Sequence, residues 1–221
     1  MKPTPHAPID TDDLIAALSA RLEPTSPRAP WAWLAIFVGA GVTVAFGSMW
    51  LRLGLRPDLP AAVATPMFWT KFLYTVALGG LGLWLAERLC RPGANPGRPA
   101  RMLQSVVFGF LILAAFRYFG TAAPAKHAAL MGHSASLCPW VILTMSIPIL
   151  IGAIVGMRRM APTQPTLAGF AGGLAAGGLA AFVYAFSCNE SGMPFVAVWY
   201  TLPVLGAGLI GAAAGRLLLR W

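Results

Sequence analysis

Six long stretches of this chain are poor in charge, and each is about as long as a lipid bilayer is thick. A helix needs about 20 mainly apolar residues to cross the roughly 30 Å hydrocarbon layer. Trp31 to Leu51, Thr70 to Leu89, Met102 to Phe119, Leu137 to Met157, Thr166 to Ser187 and Val196 to Leu218 each qualify. With 57% hydrophobic and 10% charged residues, the chain is too apolar for one soluble core. Turn punctuation separates the runs, most clearly in Arg91-Pro92-Gly93-Ala94-Asn95-Pro96-Gly97-Arg98-Pro99 and in Met160-Ala161-Pro162-Thr163-Gln164-Pro165. The expected fold is all-α: a polytopic membrane protein with six transmembrane helices over residues 31–221, behind a lead of residues 1–30.

Orientation follows from where positive charge collects, because Lys and Arg in short loops are retained on the cytoplasmic side. With the N-terminus inside, the cytoplasmic set is Lys2, Arg21, Arg28, Arg88, Arg91, Arg98, Arg101, Arg158, Arg159, Arg216 and Arg220. The opposite set is only Arg52, Arg56, Lys71, Arg117 and Lys126. Both termini are therefore expected to be cytoplasmic. The net charge of +9 is accounted for by this bias and calls for no direct nucleic-acid partner. Asp10, Asp12, Asp13 and several prolines precede the first run, so it reads as a retained span rather than a signal peptide.

Aromatic residues mark the outer interface: Trp69, Tyr74, Tyr118, Phe119, Trp140, Trp199 and Tyr200 fall near the outer ends of their spans. Lys71 and Arg117 are expected to snorkel there. Inside the bundle, Gly169, Gly173 and Gly177 recur every fourth residue along the fifth span, and Gly206, Gly208, Gly211 and Gly215 continue the theme in the sixth. Small residues let helix backbones approach closely in lipid, so these two spans should form a tight hairpin. Pro148 and Pro203 each remove a helix hydrogen bond and should kink their spans. No span carries an acid–base pair or a histidine ladder, and GxSxG, HExxH, CxxC and a phosphate loop are all absent. The chain does not read as an enzyme.

The candidate chemistry is at the outer boundary. Cys138 opens the fourth span and Cys188 closes the fifth, and alternating helix ends put both in the same leaflet. Such a pair can form a disulfide if the Cα atoms come within about 7 Å. It can equally serve as a redox or metal-responsive pair. Near it in sequence are His127, Met131, His133, Glu190 and Met193, a donor mixture suited to a transient soft or borderline ion such as copper, zinc or cadmium. Their spacing matches no stereotyped metal motif, and they also read as ordinary loop residues. Cys90, at the other end of the second span, reads as a small buried residue.

The lead contains one amphipathic segment, Ile9 to Leu22. Asp10 can cap it, Ile9 can staple onto Leu14, and Asp12 and Asp13 crowd the first turn where the helix dipole favours acids. Leu14, Ile15, Leu18 and Leu22 share a face, and Pro24 and Pro27 end the helix. A helix this short is marginal alone, so its stripe is expected to fold against the membrane surface or a partner groove.

Assembled, these residues resemble the NrsF-type anti-sigma factors, six-span proteins of the bacterial inner membrane. The likeness rests on Asp12-Asp13-Leu14-Ile15 with Leu18, on Cys138-Pro139, and on Met157-Arg158-Arg159-Met160-Ala161-Pro162 running into the small-residue fifth span. It extends to Ser187-Cys188-Asn189-Glu190, Trp199-Tyr200 and Leu219-Arg220-Trp221. The resemblance implies a protein that sequesters an extracytoplasmic-function sigma factor at the membrane and releases it under heavy-metal stress through two outer cysteines, here Cys138 and Cys188. On that reading Asp13, Leu14, Ile15, Leu18 and Leu22 contact the sigma factor, the other partner is membrane lipid, and no resident cofactor is needed. Met131, His133, Glu190 and Met193 would be auxiliary to any metal held by the cysteines. A membrane thiol oxidoreductase passing electrons to a quinone, or a small metal or small-molecule transporter, are the alternatives.

Overall fold

A computed structural model describes residues 10–20, 29–91, 93 and 95–220. Every regular element among them is helical: α1 (Thr11–Ser19), α2 (Ala29–Arg52), α3 (Leu59–Val63), α4 (Pro66–Leu89), α5 (Gly97–Phe119), α6 (Lys126–Met131), α7 (Cys138–Arg158), α8 (Pro165–Tyr184), α9 (Met193–Trp199) and α10 (Thr201–Leu218), with one 3₁₀ turn at Ala123–Ala125. Five helical segments are long and apolar enough to cross a membrane: Trp31–Arg52, α5, α7, α8 and the combined Met193–Leu218. The remaining expected span corresponds to α4, which has 24 residues but is diluted by Lys71 near one end and by Glu87 and Arg88 near the other.

The α8 helix occupies the centre. It packs on α10 and α4 most extensively and also on α7, while α2 lies against α7 and α5 against α4 and α9. The reason is the absence of side chains. A Cβ on Gly169 would run into the carbonyl of Gly211, and one on Gly173 into the carbonyl of Ala207, so α8 and α10 meet backbone to backbone as the glycine spacing predicts. The same device builds two interfaces that the sequence reading did not single out. A Cβ on Gly82 of α4 would lie 2.7 Å from the amide nitrogen of Ala175, and one on Gly41 of α2 would lie 2.6 Å from the carbonyl oxygen of Pro148. Pro148 is thus an interior proline whose carbonyl abuts the neighbouring helix.

Three expectations are modified. The expected kink at Pro203 is a break in the helix: Pro203 sits in the first turn of α10, and the span is interrupted at Tyr200. The physical cause is still proline: residue 203 has no N–H for the carbonyl of Trp199, so regular helix stops at Tyr200 and resumes at Thr201. Tyr74 and Tyr200 are not interfacial. Both are buried, Tyr74 stacking on Phe110 with its hydroxyl 2.7 Å from Thr201 Oγ1. Lys71 does not snorkel either, being 1% exposed. Trp69 and Trp140 do present their rings at the surface.

In the lead, Asp10 caps α1 through a hydrogen bond from the Asp12 amide at 3.4 Å. No residue of α1 is buried, and Leu14, Ile15 and Leu18 are all exposed. Ile9, Leu22, Pro24 and Pro27 lie outside the described residues.

Candidate functional site

The sulfurs of Cys138 and Cys188, fifty residues apart, lie 3.8 Å from each other. Local structure delivers each one. Cys138 begins α7, and Pro139 follows in the first turn, where its fixed φ suits a helix start. Cys188 comes as α8 winds down: the amides of Ser187 and Cys188 both donate to the carbonyl of Tyr184, at 3.0 Å each. Both side chains are buried and neither is in a disulfide.

Two basic residues fasten the Cys188 strand to the rest of the bundle. Arg56, in the loop between α2 and α3, donates its backbone N–H to the carbonyl of Phe186 at 3.1 Å and its Nη1 to the carbonyl of Cys188 at 3.3 Å. Its remaining guanidinium edge grips Asp58, with Nε and Nη2 at 2.8 and 2.7 Å from the two carboxylate oxygens. That fork holds Asp58 below the usual carboxylate range and raises the already high Arg56 value. Lys71, from the second turn of α4, donates to the carbonyls of Cys188 and Glu190 at 3.1 and 3.0 Å. Its ammonium also lies 4.9 Å from the centre of the Tyr200 ring.

Around Cys138 the partners are hydroxyls. Its sulfur lies 3.2 Å from Ser134 Oγ and 3.2 Å from the Tyr184 hydroxyl. Ser134 in turn donates to Glu190 Oε1 at 3.4 Å, and the same carboxylate accepts the backbone N–H of His133 at 2.6 Å. The loop closes so tightly here that only glycine fits at position 132: φ is +51°, and a Cβ would lie 2.6 Å from the Glu190 carboxylate. Glu190 thus ties the α6–α7 loop to the loop carrying Cys188.

The two thiols are therefore not equivalent. Cys188 is lowered from the ordinary thiol range, chiefly because its thiolate accepts the Cys138 hydrogen bond and then because of the Lys71 ammonium, against the opposing effect of burial. Tyr200 adds a smaller stabilisation of that thiolate, although its buried hydroxyl makes no hydrogen bond of good geometry among the described residues. Two adjacent sulfurs, one favoured as thiolate, can do either of two things. They can lose two electrons and two protons to an oxidant and close to the roughly 2.05 Å disulfide bond, or present two thiolates to a soft metal ion.

The other expected ligands are placed differently from the sulfurs. His133 projects its ring into solvent with Nδ1 3.5 Å from Glu190, and His127 and Met131 are exposed. Met193 begins α9 and is partly buried. Among the described residues no three His, Cys, Asp or Glu side chains converge on a common point. Cys90 is buried at the opposite end of the bundle as the cap of α4. Sequence reasoning missed Arg56, Tyr184 and Tyr200, and gave Lys71 only an interfacial role. For Lys71 a signal existed, since an ionisable residue one turn into an apolar run usually faces a partner inside the bundle.

Comparison with known proteins adds the lineage. A family profile described as "Negative regulator of sigma F" (NrsF) matches residues 18–221. The anti-sigma-F factor NrsF of Caulobacter vibrioides is 44% identical over 214 residues, covering 96% of this chain and 99% of its own length. The probable anti-sigma-F factor NrsF of Azospira oryzae is 35% identical over 211 residues, with the same coverage of each chain. No solved structure matches the chain.

Proposed function

We propose a mechanism for a chain that belongs to the NrsF family and is accordingly an anti-sigma factor, regulatory rather than catalytic: it holds its sigma factor at the inner membrane through α1 and releases it when the cysteine pair is ligated or oxidised. The sigma factor is of the extracytoplasmic-function class. The observation that carries the reading is α1 itself, a capped helix that buries none of its residues against the other described residues and leaves Leu14 and Ile15 at 46% and 58% exposed, with Leu18 at 60%. A short helix with an unpartnered apolar stripe gains stability by laying it in a groove. Asp13 flanks the stripe, and Leu22 is the further apolar contact expected from the sequence. The test is co-purification with the sigma factor: Leu14→Asp with Leu18→Asp should abolish it and leave membrane insertion unchanged. Undiminished co-purification would remove α1 as the docking element.

The topology in this reading is six spans with both termini cytoplasmic, α4 being the second of them. Two features support α4 as a span despite its charge. Lys71 is satisfied by two carbonyls and an aromatic face, and Glu87 by Arg91, whose Nε lies 2.6 Å from Glu87 Oε1. Charges paired inside a bundle are the form in which membrane helices tolerate them.

The signal enters at Cys138 and Cys188. A soft metal ion or an oxidant draws the sulfurs into a new geometry, and the Cys188 strand is the one fastened by Arg56 and Lys71 and leading to the helix break at Tyr200. Shifting a two-state bundle from 1:99 to 99:1 takes about 5.5 kcal/mol of differential affinity, within reach of thiolate ligation or disulfide formation but not of a weak surface contact. His133, Met131, Met193 and Glu190 remain candidate auxiliary ligands, which would require the exposed loop residues to fold inwards on metal binding.

A further inference from the structure

Helix α5 stands apart from the central helix. It packs on α4 and α9, and between it and the α8–α10 pair runs an apolar slot of about 330 Å³. Leu85 and Leu89 of α4, Leu103 and Val107 of α5, Leu174 of α8 and Val204 of α10 line it. Along α5 the lining extends from beside Pro96 to Phe108, about 18 Å at the helical rise of 1.5 Å per residue. The slot opens to the surface of the bundle past Phe108, Leu167 and Leu205, and its apolar walls offer dispersion contacts to a chain laid along it. Hydrocarbon is the natural occupant.

One mouth of the slot is chemically distinct. At the end away from the cysteine pair, next to the lining residues Leu89, Pro96 and Ala100, stand Arg88 in the last turn of α4 and Arg101 in the second turn of α5. Arg88 is brought close to the start of α5, its guanidinium carbon 3.8 Å from where a Cβ on Gly97 would lie, and its Nε donates to the carbonyl of Asn95 at 3.0 Å. Arg101 is exposed, and among the described residues neither arginine pairs with a carboxylate. Guanidinium groups present forked donors that match phosphate oxygens.

We infer that this slot and its arginine mouth form a binding site for an anionic phospholipid, with one acyl chain between α5 and the α8–α10 pair and the phosphate at Arg88 and Arg101. The charge decides the class: two cations beside a hydrocarbon-sized gap favour a headgroup of net negative charge over a zwitterionic one. A seated chain would complete the packing of α5 on the bundle.

The test uses the full-length protein in detergent, with phosphatidylglycerol and phosphatidylcholine of identical acyl chains, and reads the lipid retained by native mass spectrometry. The wild-type chain should retain phosphatidylglycerol about tenfold more than phosphatidylcholine. Arg88→Gln with Arg101→Gln should bring the two lipids to parity. Val107→Trp, which fills the slot, should reduce retention of both, with gel filtration confirming that each variant is monodisperse. Equal retention of the two lipids by the wild type, or a preference unchanged in the double arginine variant, would overturn the headgroup site. Undiminished retention of both lipids by a monodisperse Val107→Trp would overturn the chain placement.

Discussion

The ammonium of Lys71 lies 3.1 Å from the carbonyl oxygen of Cys188, so a buried charge on α4 is spent on the backbone of the loop that carries the more acidic thiol. The contact has an electrostatic consequence for the sulfur as well. Because Lys71 is one of the groups that lower Cys188, replacing it with neutral Met should raise the midpoint of the pH dependence of Cys188 alkylation, measured in a Cys90→Ser, Cys138→Ser background shared by both chains. A looser loop would raise the limiting rate without moving the midpoint, so the midpoint isolates the charge. An unshifted midpoint would show that Lys71 serves the backbone alone.

Two glycines of α4 offer a comparison within one helix. A Cβ on Gly80 meets nothing within 4 Å, whereas one on Gly82 lies 2.7 Å from the Ala175 nitrogen. Gly80→Ala should be neutral or stabilising by up to about 1 kcal/mol, the ordinary helix preference for Ala over Gly. Gly82→Ala should cost about 1–3 kcal/mol by prising α4 from α8. Thermal unfolding in detergent reads both, and equal melting temperatures would contradict the close α4–α8 packing.

How much of this was legible in the sequence depends on which residues carried it. The glycine spacing in residues 169–177 foretold the α8–α10 contact because a repeat every fourth residue names a helix face. Gly41 and Gly82 have no such repeat, and their partners are set by which helices become neighbours, so their role appeared only in three dimensions. The meeting of Cys138 and Cys188 followed from counting spans. What surrounds them did not: Arg56 and Lys71 reach the Cys188 strand across 132 and 117 residues of sequence, and no local pattern encodes that distance. Tyr74 and Tyr200 were misplaced at the interface because an aromatic residue near a span end looks the same whether it faces lipid or a neighbouring helix.

The orientation has its own check. Ser136, beside the cysteine pair, and Asn95, at the opposite end of the bundle, are both exposed. In a chain whose native cysteines are replaced by Ser, Ser136→Cys should react with an impermeant maleimide added to intact cells, and Asn95→Cys only after the membrane is opened. The reverse pattern would invert the topology and put α1 on the wrong side for a sigma factor.

The central claim is that the adjacent thiols transmit the signal, and sigma-dependent transcription measured alongside protein abundance tests it most directly. Removing either sulfur leaves neither a disulfide nor a two-thiolate site, so Cys138→Ser and Cys188→Ser should each keep repression and normal abundance while losing induction by soft metal ions. The double substitution should resemble either single one, because the two residues act as a unit. Reduced abundance with constant transcription would instead mark a purely structural pair. Normal metal induction at normal abundance in both single variants would contradict the account.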